Sequence, residues 1–135
     1  MRTLVFGSNS CAGSHFVKHL QTNSLFCVAT SRSQENDQKF LAYKKSKSLI
    51  FKKLDLNKDL NQVFYLCKKY NINCIVNFAS QSMVAESWRY PLHWVKTNCA
   101  STVKFLTTFP KKDSERIKLY FFLMKGGQTQ ICCIS

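Results

Sequence analysis

The sequence predicts an α/β fold, a doubly wound parallel sheet of about five strands. Short apolar runs alternate with amphipathic helical patterns along the chain, and this alternation is typical of strand–helix–strand crossover units. The runs are apolar at almost every position, which indicates a sheet covered by helices on both faces. With 135 residues, the chain is long enough for one domain with a core and too short for two.

The first half of the chain is predicted as strand, helix, strand and loop. The apolar run Thr3–Phe6 is typical of a buried strand and ends at Gly7. The segment Ala12–Leu20 is predicted as a helix because its apolar side chains share one face. A second apolar run, Leu25–Thr30, predicts the next strand, and the polar segment Ser31–Asp37 predicts a loop.

Three further strands and two helices complete the predicted sheet. In order they are strand Leu49–Leu56, helix Asn57–Tyr70, strand Cys74–Ala79, helix Pro91–Phe109 and strand Ile117–Met124. Asn57 or Asp59 is expected to cap the first of these helices, and Pro91 suits the first turn of the second. We expect residues 1–124 to form the domain, residues 125–135 to be a tail, and the last strand to be an unpaired edge.

From the sequence we expect a cytoplasmic protein without a transmembrane segment or a signal peptide. The longest apolar run, Leu119–Met124, is too short to cross a bilayer, and the N-terminus turns polar at Gly7, unlike a signal peptide. The seven cysteines are an odd number without C-x-x-C spacing, which fits a reducing compartment. Cys11, His15 and His19 would share one helix face, but a fourth ligand is missing nearby, so no metal site is expected.

The net charge of +13, from 20 Lys and Arg against 7 Asp and Glu, indicates either a polyanionic partner or a lysine-rich composition whose charges are spread along solvated faces. That partner is either nucleic acid or a phosphorylated ligand. Lysines concentrate between Lys39 and Lys69, without the interleaved aromatic residues of RNA-binding surfaces. A basic nucleic-acid-binding protein is therefore the alternative from another class, supported by charge and by no motif.

The turn Gly7–Gly13 is the expected place for a dinucleotide. It joins the first strand to the first helix, and its small residues allow the backbone to approach a pyrophosphate at the helix N-terminus. Ser10 stands where the usual pattern has a third glycine. At the end of the second strand the chain has Arg32 and no acid before Glu35, which favours NADP over NAD. The alternative is a loop arginine without a partner.

Three segments carry a family resemblance: VFGSNSCAGSHFV (5–17), LDLN (54–57) and VNFASQSMVAESWRYPLHWVKTN (76–98). They resemble the extended short-chain dehydrogenase/reductase family, and more narrowly its NAD(P)-dependent epimerase/dehydratase branch, which includes GDP-mannose and dTDP-glucose 4,6-dehydratases. The resemblance spans roughly the first hundred residues. It implies an incomplete Rossmann-like sheet without a substrate domain, a nicotinamide cofactor, a nucleotide-sugar substrate and a homo-oligomer.

The resemblance also implies roles for individual residues. Expected at the pyrophosphate are Gly7, Ser10, Cys11, Ala12 and Gly13. Expected at the adenosine are Arg32 on the 2′-phosphate and Asp55 and Leu56 beside the adenine. Expected along the ribose and nicotinamide are Ala79, Ser80 and Gln81, and expected at the sugar are Ser82 and Val84. Read singly, Asp55 also suits a helix N-cap region and Ser80 a strand-end turn.

The family's catalytic residues are not found, so no catalytic residue is assigned. The resemblance implies a Ser or Thr after strand five and a Tyr-x-x-x-Lys on the next helix, whereas residues 125–135 contain no Tyr. The matches Tyr43–Lys47 and Tyr65–Lys69 lie before strands three and four, away from the carboxyl ends of the strands. We therefore expect an inactive cofactor-binding portion, or alternatively a non-catalytic NADP-binding module. Divergence from the family after Phe109 fits a fragment or an altered reading frame.

Overall fold

The computed structural model describes residues 1–80, 88–110, 116–125 and 128–134. In chain order its elements are β1 (Arg2–Phe6), α1 (Cys11–Thr22), β2 (Phe26–Ser31), a 3₁₀ turn (Gln38–Phe40), β3 (Leu49–Lys53), α2 (Leu60–Lys69), β4 (Cys74–Asn77), α3 (Pro91–Val95), a π-helical turn (Lys96–Ala100), α4 (Ser101–Thr108), β5 (Lys118–Lys125) and β6 (Gln128–Ile134).

The strands form one sheet in the order β3-β2-β1-β4-β5-β6. The first five are parallel, with Val5 of β1 opposite Ala29 of β2 and Val76 of β4. The chain winds outward from β1 to β3 and then crosses to β4 on the other side of β1. The predicted doubly wound α/β sheet of five parallel strands is confirmed, and its switch point lies between β1 and β4.

Alternate side chains of β1, β2 and β4 face two separate cores, because successive residues of a strand point to opposite faces. On one face Leu4, Phe6 and Ile75 pack with α2 and α4, where the rings of Phe6 and Phe105 meet edge to face at 6.0 Å. On the other face Val5 packs with α1 and with Tyr43. Both faces of the parallel sheet are therefore covered, which explains the nearly continuous apolar strands.

The sixth strand departs from the sequence prediction. β6 pairs antiparallel with β5, from Leu119 opposite Ile134 to Lys125 opposite Gln128. The expectation that β5 is the unpaired edge is wrong, and residues 128–134 form a strand where a tail was expected. In the sequence the two strands are separated by Gly126 and Gly127.

Element boundaries also differ from the predicted ones. The third strand ends at Lys53 instead of Leu56, and α2 begins at Leu60 instead of Asn57. The predicted helix Pro91–Phe109 consists of α3, the π-helical turn and α4. No helix in the described parts of the chain is long and apolar enough to span a bilayer.

Candidate functional site

An open cleft of about 290 Å³ lies along the carboxyl edge of the sheet. Its walls include Gly7 after β1, Arg32 after β2, Asp55 after β3 and Ala79 after β4. These four strands are adjacent and parallel, so their carboxyl ends meet at one edge. The structure therefore brings together four segments that lie far apart in the sequence.

Further lining residues come from the same strand ends and from the helical segment beyond β4. They are Phe6, Asn9, Ser10, Thr30, Ser31, Ser33, Leu54, Leu56, Asn57, Phe78, Ser80, Thr97 and Ser101. Of the residues predicted at the pyrophosphate, Cys11, Ala12 and Gly13 do not line the cleft. Gln81, Ser82 and Val84 lie outside the described residues.

Close packing leaves no room for a side chain at Gly7 and Gly13, the two glycines of the turn between β1 and α1. Gly7 has φ +77°, and a Cβ on it would lie 2.7 Å from the Ala79 nitrogen. A Cβ on Gly13 would lie only 2.2 Å from the Gly7 carbonyl oxygen. Real Cβ atoms do not approach backbone so closely, so the turn requires glycine at both positions.

Ser10 caps helix α1 at the position of the missing third glycine. Its Oγ accepts a hydrogen bond from the Gly13 amide at 3.0 Å and donates one to the Gly7 carbonyl at 2.8 Å. The amides of Cys11 and Ala12, the first two residues of α1, have no partner within the described part of the chain. The helix N-terminus therefore keeps two unpaired N–H groups that can bind an anion.

The first turn is hydrogen-bonded to the end of β2. The amides of Gly7 and Ser8 donate to the Thr30 carbonyl at 2.9 and 3.0 Å. The Thr30 hydroxyl donates in turn to the Val5 carbonyl at 3.0 Å. These bonds fix the turn against the strand that leads to Arg32.

Arg32 is exposed at the rim of the cleft. No ion pair of its guanidinium is found among the described residues. Glu35, the nearest acid along the chain, instead accepts a hydrogen bond from the buried Tyr43 hydroxyl at 3.1 Å. Burial and the charge of Glu35 raise the pKa of Tyr43 above its usual range, so the Tyr43 hydroxyl stays protonated and donates.

Asp55 is held by the start of the segment that leads to α2. Its Oδ1 accepts hydrogen bonds from the Asn57 amide at 2.9 Å and the Asn57 side chain at 3.1 Å. Its own amide donates to Asp59 Oδ2 at 2.9 Å. Asp59 occupies the predicted N-cap position, but its side chain makes this bond instead of a capping bond to α2. The Asp55 carboxylate is thereby fixed at the cleft wall.

The end of β4 turns sharply beneath the cleft. The Ala79 amide donates to the Asn77 side chain at 2.8 Å, and the Ser80 amide donates to the Phe78 carbonyl at 2.9 Å. Ser80 is thus part of a strand-end turn and also lines the cleft.

The two Tyr-x-x-x-Lys matches lie away from the cleft. Tyr43 is buried in the core beneath α1, and Tyr65 is exposed on α2, where the Lys69 ammonium lies 5.5 Å from its ring centre. The cleft lining contains neither Tyr nor Lys among the described residues. Within the described ranges, no three His, Cys, Asp or Glu side chains come together as metal ligands.

Sequence reasoning assigned no site role to seven polar residues that line the cleft: Asn9, Thr30, Ser31, Ser33, Asn57, Thr97 and Ser101. Asn9 lies within the glycine-rich turn, whose dinucleotide pattern is defined by its small residues. The Ser101 hydroxyl donates to the carbonyls of Lys96 and Thr97. This bonding belongs to the π-helical turn, which no simple sequence period predicts.

Comparison with known proteins gave a family match and a set of similar folds. The model of the family described as GDP-mannose 4,6 dehydratase matches residues 4–122. A search of curated proteins gave no match.

Three solved structures illustrate the fold similarity. A UDP-glucose-4-epimerase from Stenotrophomonas maltophila, with bound NAD and formylated UDP-arabinopyranose, is 22% identical, with a TM-score of 0.74 over 90% of this chain and 36% of that one. A dTDP-glucose 4,6-dehydratase from Bacillus anthracis str. Ames, in complex with NAD, is 20% identical, with a TM-score of 0.70 over 90% and 36%. An L-threonine dehydrogenase from Clostridium difficile is 24% identical, with a TM-score of 0.68 over 89% and 35%.

The chain thus spans about a third of the length of these structures. They share one fold and carry different activities, so the likeness shows the fold alone.

Proposed function

The chain belongs to the GDP-mannose 4,6 dehydratase family, and from this premise we propose that it is the cofactor-binding portion of a nucleotide-sugar 4,6-dehydratase or epimerase. We further propose that its cleft binds a nicotinamide dinucleotide, NADP in preference to NAD. One observation carries this proposal: a single cleft holds Gly7, Arg32, Asp55 and Ala79, each following one of four adjacent parallel strands.

The pyrophosphate would bind at the N-terminus of α1. The unpaired amides of Cys11 and Ala12 and the positive end of the helix dipole favour an anion there. This role belongs to the backbone amides of Cys11 and Ala12, which directly follow Ser10, a residue that lines the cleft. Gly7 and Gly13 leave no room for a Cβ, which keeps this turn tight.

The adenosine would lie across the ends of β2 and β3. Asp55 Oδ1 is held by Asn57, which leaves the carboxylate oriented to accept from the exocyclic amine of the adenine. Arg32 would bind the 2′-phosphate. A guanidinium without an ion pair among the described residues is well suited to a charge-assisted, two-pronged bond to phosphate.

The similar structures support the cofactor class. The epimerase structure contains NAD and a UDP-sugar, and the dehydratase structure contains NAD. We propose that this chain also binds a nicotinamide dinucleotide and that the substrate is a nucleotide sugar. The preference for NADP rests on Arg32 and on the position of Glu35, which bonds Tyr43 and does not line the cleft.

When bound, the nicotinamide would accept and return a hydride at the sugar. The residues described here would bind and orient the cofactor. They supply no Tyr or Lys at the cleft among the described ranges, and general acid–base chemistry at a sugar hydroxyl needs such a group within hydrogen-bond reach. We therefore propose that this chain binds cofactor without turning over a nucleotide sugar.

Calorimetric titration of the 135-residue chain with NADP and with NAD tests the proposal. Arg32→Ala should lower the affinity for NADP about 10- to 100-fold and change the affinity for NAD less than about twofold, because hydrogen bonds to charged groups are worth about 1.5–3 kcal/mol. Lys68→Ala, which removes a cation from the last turn of α2, is the matched control and should change neither affinity. Failure of the wild-type chain to bind either cofactor would overturn the proposal.

A further inference from the structure

The side chain of Asn9, in the glycine-rich turn, is hydrogen-bonded to the segment that carries Arg32. Its Nδ2 donates to the Ser33 hydroxyl at 3.0 Å and to the Gln34 carbonyl at 2.7 Å. Asn36 returns two weaker contacts, from its amide to Asn9 Oδ1 at 3.3 Å and from its side chain to the Asn9 carbonyl at 3.4 Å. Asn9 thus spans three residues of a segment more than twenty positions away.

Arg32 lies between two anchored points. On its N-terminal side, the Thr30 carbonyl accepts from the Gly7 and Ser8 amides. On its C-terminal side, Ser33 and Gln34 are the residues that Asn9 binds. The Arg32 side chain itself is exposed and, among the described residues, without an ion pair. The backbone on either side of Arg32 therefore sets the direction in which its side chain leaves the main chain.

We propose that Asn9 is a positioning residue that aims Arg32 at the 2′-phosphate and so sets the preference for NADP over NAD. This inference rests on the proposed function and deepens it. A loop arginine loses side-chain and backbone freedom when it binds phosphate. Fixing Ser33 and Gln34 in advance removes part of that cost, and preorganisation of this kind raises affinity.

Asn9 also lines the cleft, so a direct effect on the cofactor must be separated from an effect through Arg32. The two effects differ in their dependence on Arg32. If Asn9 contacts the cofactor directly, the effect of replacing Asn9 would persist in a chain without Arg32. If that contact is to the pyrophosphate, which both cofactors share, the affinities for NAD and NADP would change equally. A positioning effect would disappear with the arginine and change NADP alone.

The experiment is a double-mutant cycle on the ratio of NADP to NAD affinity, measured by calorimetric titration of the full chain. Asn9→Ala should lower this ratio about three- to tenfold, which lies within the range of coupling between neighbouring residues. In the Arg32→Ala background, Asn9→Ala should change the ratio less than about twofold. Asn61→Ala, a substitution of an exposed asparagine on α2, is the control and should leave the ratio unchanged.

The outcomes distinguish a positioning role of Asn9 from a direct contact between Asn9 and the cofactor. If Asn9→Ala lowers the ratio of NADP to NAD affinity equally in the wild-type and Arg32→Ala chains, the positioning role is overturned and the proposed function is unaffected. A wild-type chain that binds neither cofactor would overturn both. If Asn9→Ala does not fold, as judged by circular dichroism, Asn9→Ser takes its place. Serine suits a turn but is too short to reach both Ser33 and Gln34, so the same loss of ratio is expected.

Discussion

The Ser10 hydroxyl accepts a hydrogen bond from the Gly13 amide at 3.0 Å, at the point where the turn would otherwise have its middle glycine. The bond stabilises the start of α1 as an N-cap. The bond also occupies the Gly13 amide. With a glycine at position 10, this amide would be available to a bound phosphate. Helix stability and anion binding therefore compete for the same N–H group.

Replacing Ser10 should separate these two effects. Ser10→Gly should cost only a few tenths of a kcal/mol of unfolding free energy, whereas Ser10→Ala should cost about 1 kcal/mol. Ser10→Gly should also raise the affinity for NAD and NADP alike, about two- to fivefold, because one more amide becomes available to the shared pyrophosphate. Urea unfolding and calorimetric titration measure the two effects. An unchanged affinity for both cofactors would contradict the competition.

The second prediction concerns the contact between Gly13 and Gly7. Gly13→Ala places a Cβ 2.2 Å from the Gly7 carbonyl oxygen, and backbone cannot move aside as a flexible side chain can. We expect a loss of about 2–3 kcal/mol of unfolding free energy or failure to fold. Ala12→Ser, an exposed change in the same turn of α1, is the control. Wild-type stability of Gly13→Ala in urea would show that the turn is looser than described.

The third prediction concerns alkaline pH. Burial raises the pKa of the Cys27 thiol from 9.0 to about 12, so the folded chain keeps a proton that the unfolded chain loses above pH 9. Stability from this group is full below pH 9 and falls as the pH rises toward 12. The unfolding free energy should therefore fall between pH 8 and pH 10 by about 1.4 kcal/mol more in the wild type than in Cys27→Ala. Equal falls in the two chains would exclude Cys27 as the source.

The fourth prediction concerns turnover. Incubation of the purified chain and NADP with GDP-mannose or dTDP-glucose should yield no 4-keto-6-deoxy sugar, because the described cleft holds no Tyr or Lys to move the proton. Mass spectrometry of the sugar product measures this. Appearance of the product would mean that acid–base residues act from a part of the chain we have not assigned.

Much of the fold could be predicted from the sequence because strand burial leaves a direct signal. The runs around Val5, Val28 and Val76 are apolar on both faces, and that pattern belongs to a covered parallel sheet. β6 was missed because Gln128–Ile134 mixes polar residues with Cys and Ile. β6 forms because it pairs with β5, and a prediction of strands from runs of apolar residues takes no account of such a tertiary partner.

The candidate site was only partly predictable, because some of its contacts, like the pairing of β6, depend on residues that are distant in the sequence. Gly7, Arg32, Asp55 and Ala79 each follow a strand, so topology alone predicts that they meet. The role of Asn9 depends on side-chain hydrogen bonds to Ser33 and Gln34, residues more than twenty positions away. Contacts of that kind leave no period or motif in the sequence.

The central claim is that the cleft at the carboxyl edge of the sheet binds NADP, and the most direct test is to locate the bound cofactor. A chain with a net charge of +13 attracts any polyanion, so affinity alone is not enough. Titration of the ¹⁵N-labelled chain with NADP, followed by amide chemical shifts, should move the signals of Gly7, Cys11, Arg32, Asp55 and Ala79 and leave those of Lys68 and Lys69 in place. Shifts confined to the lysine-bearing surface of α2, with the cleft signals unmoved, would contradict the account.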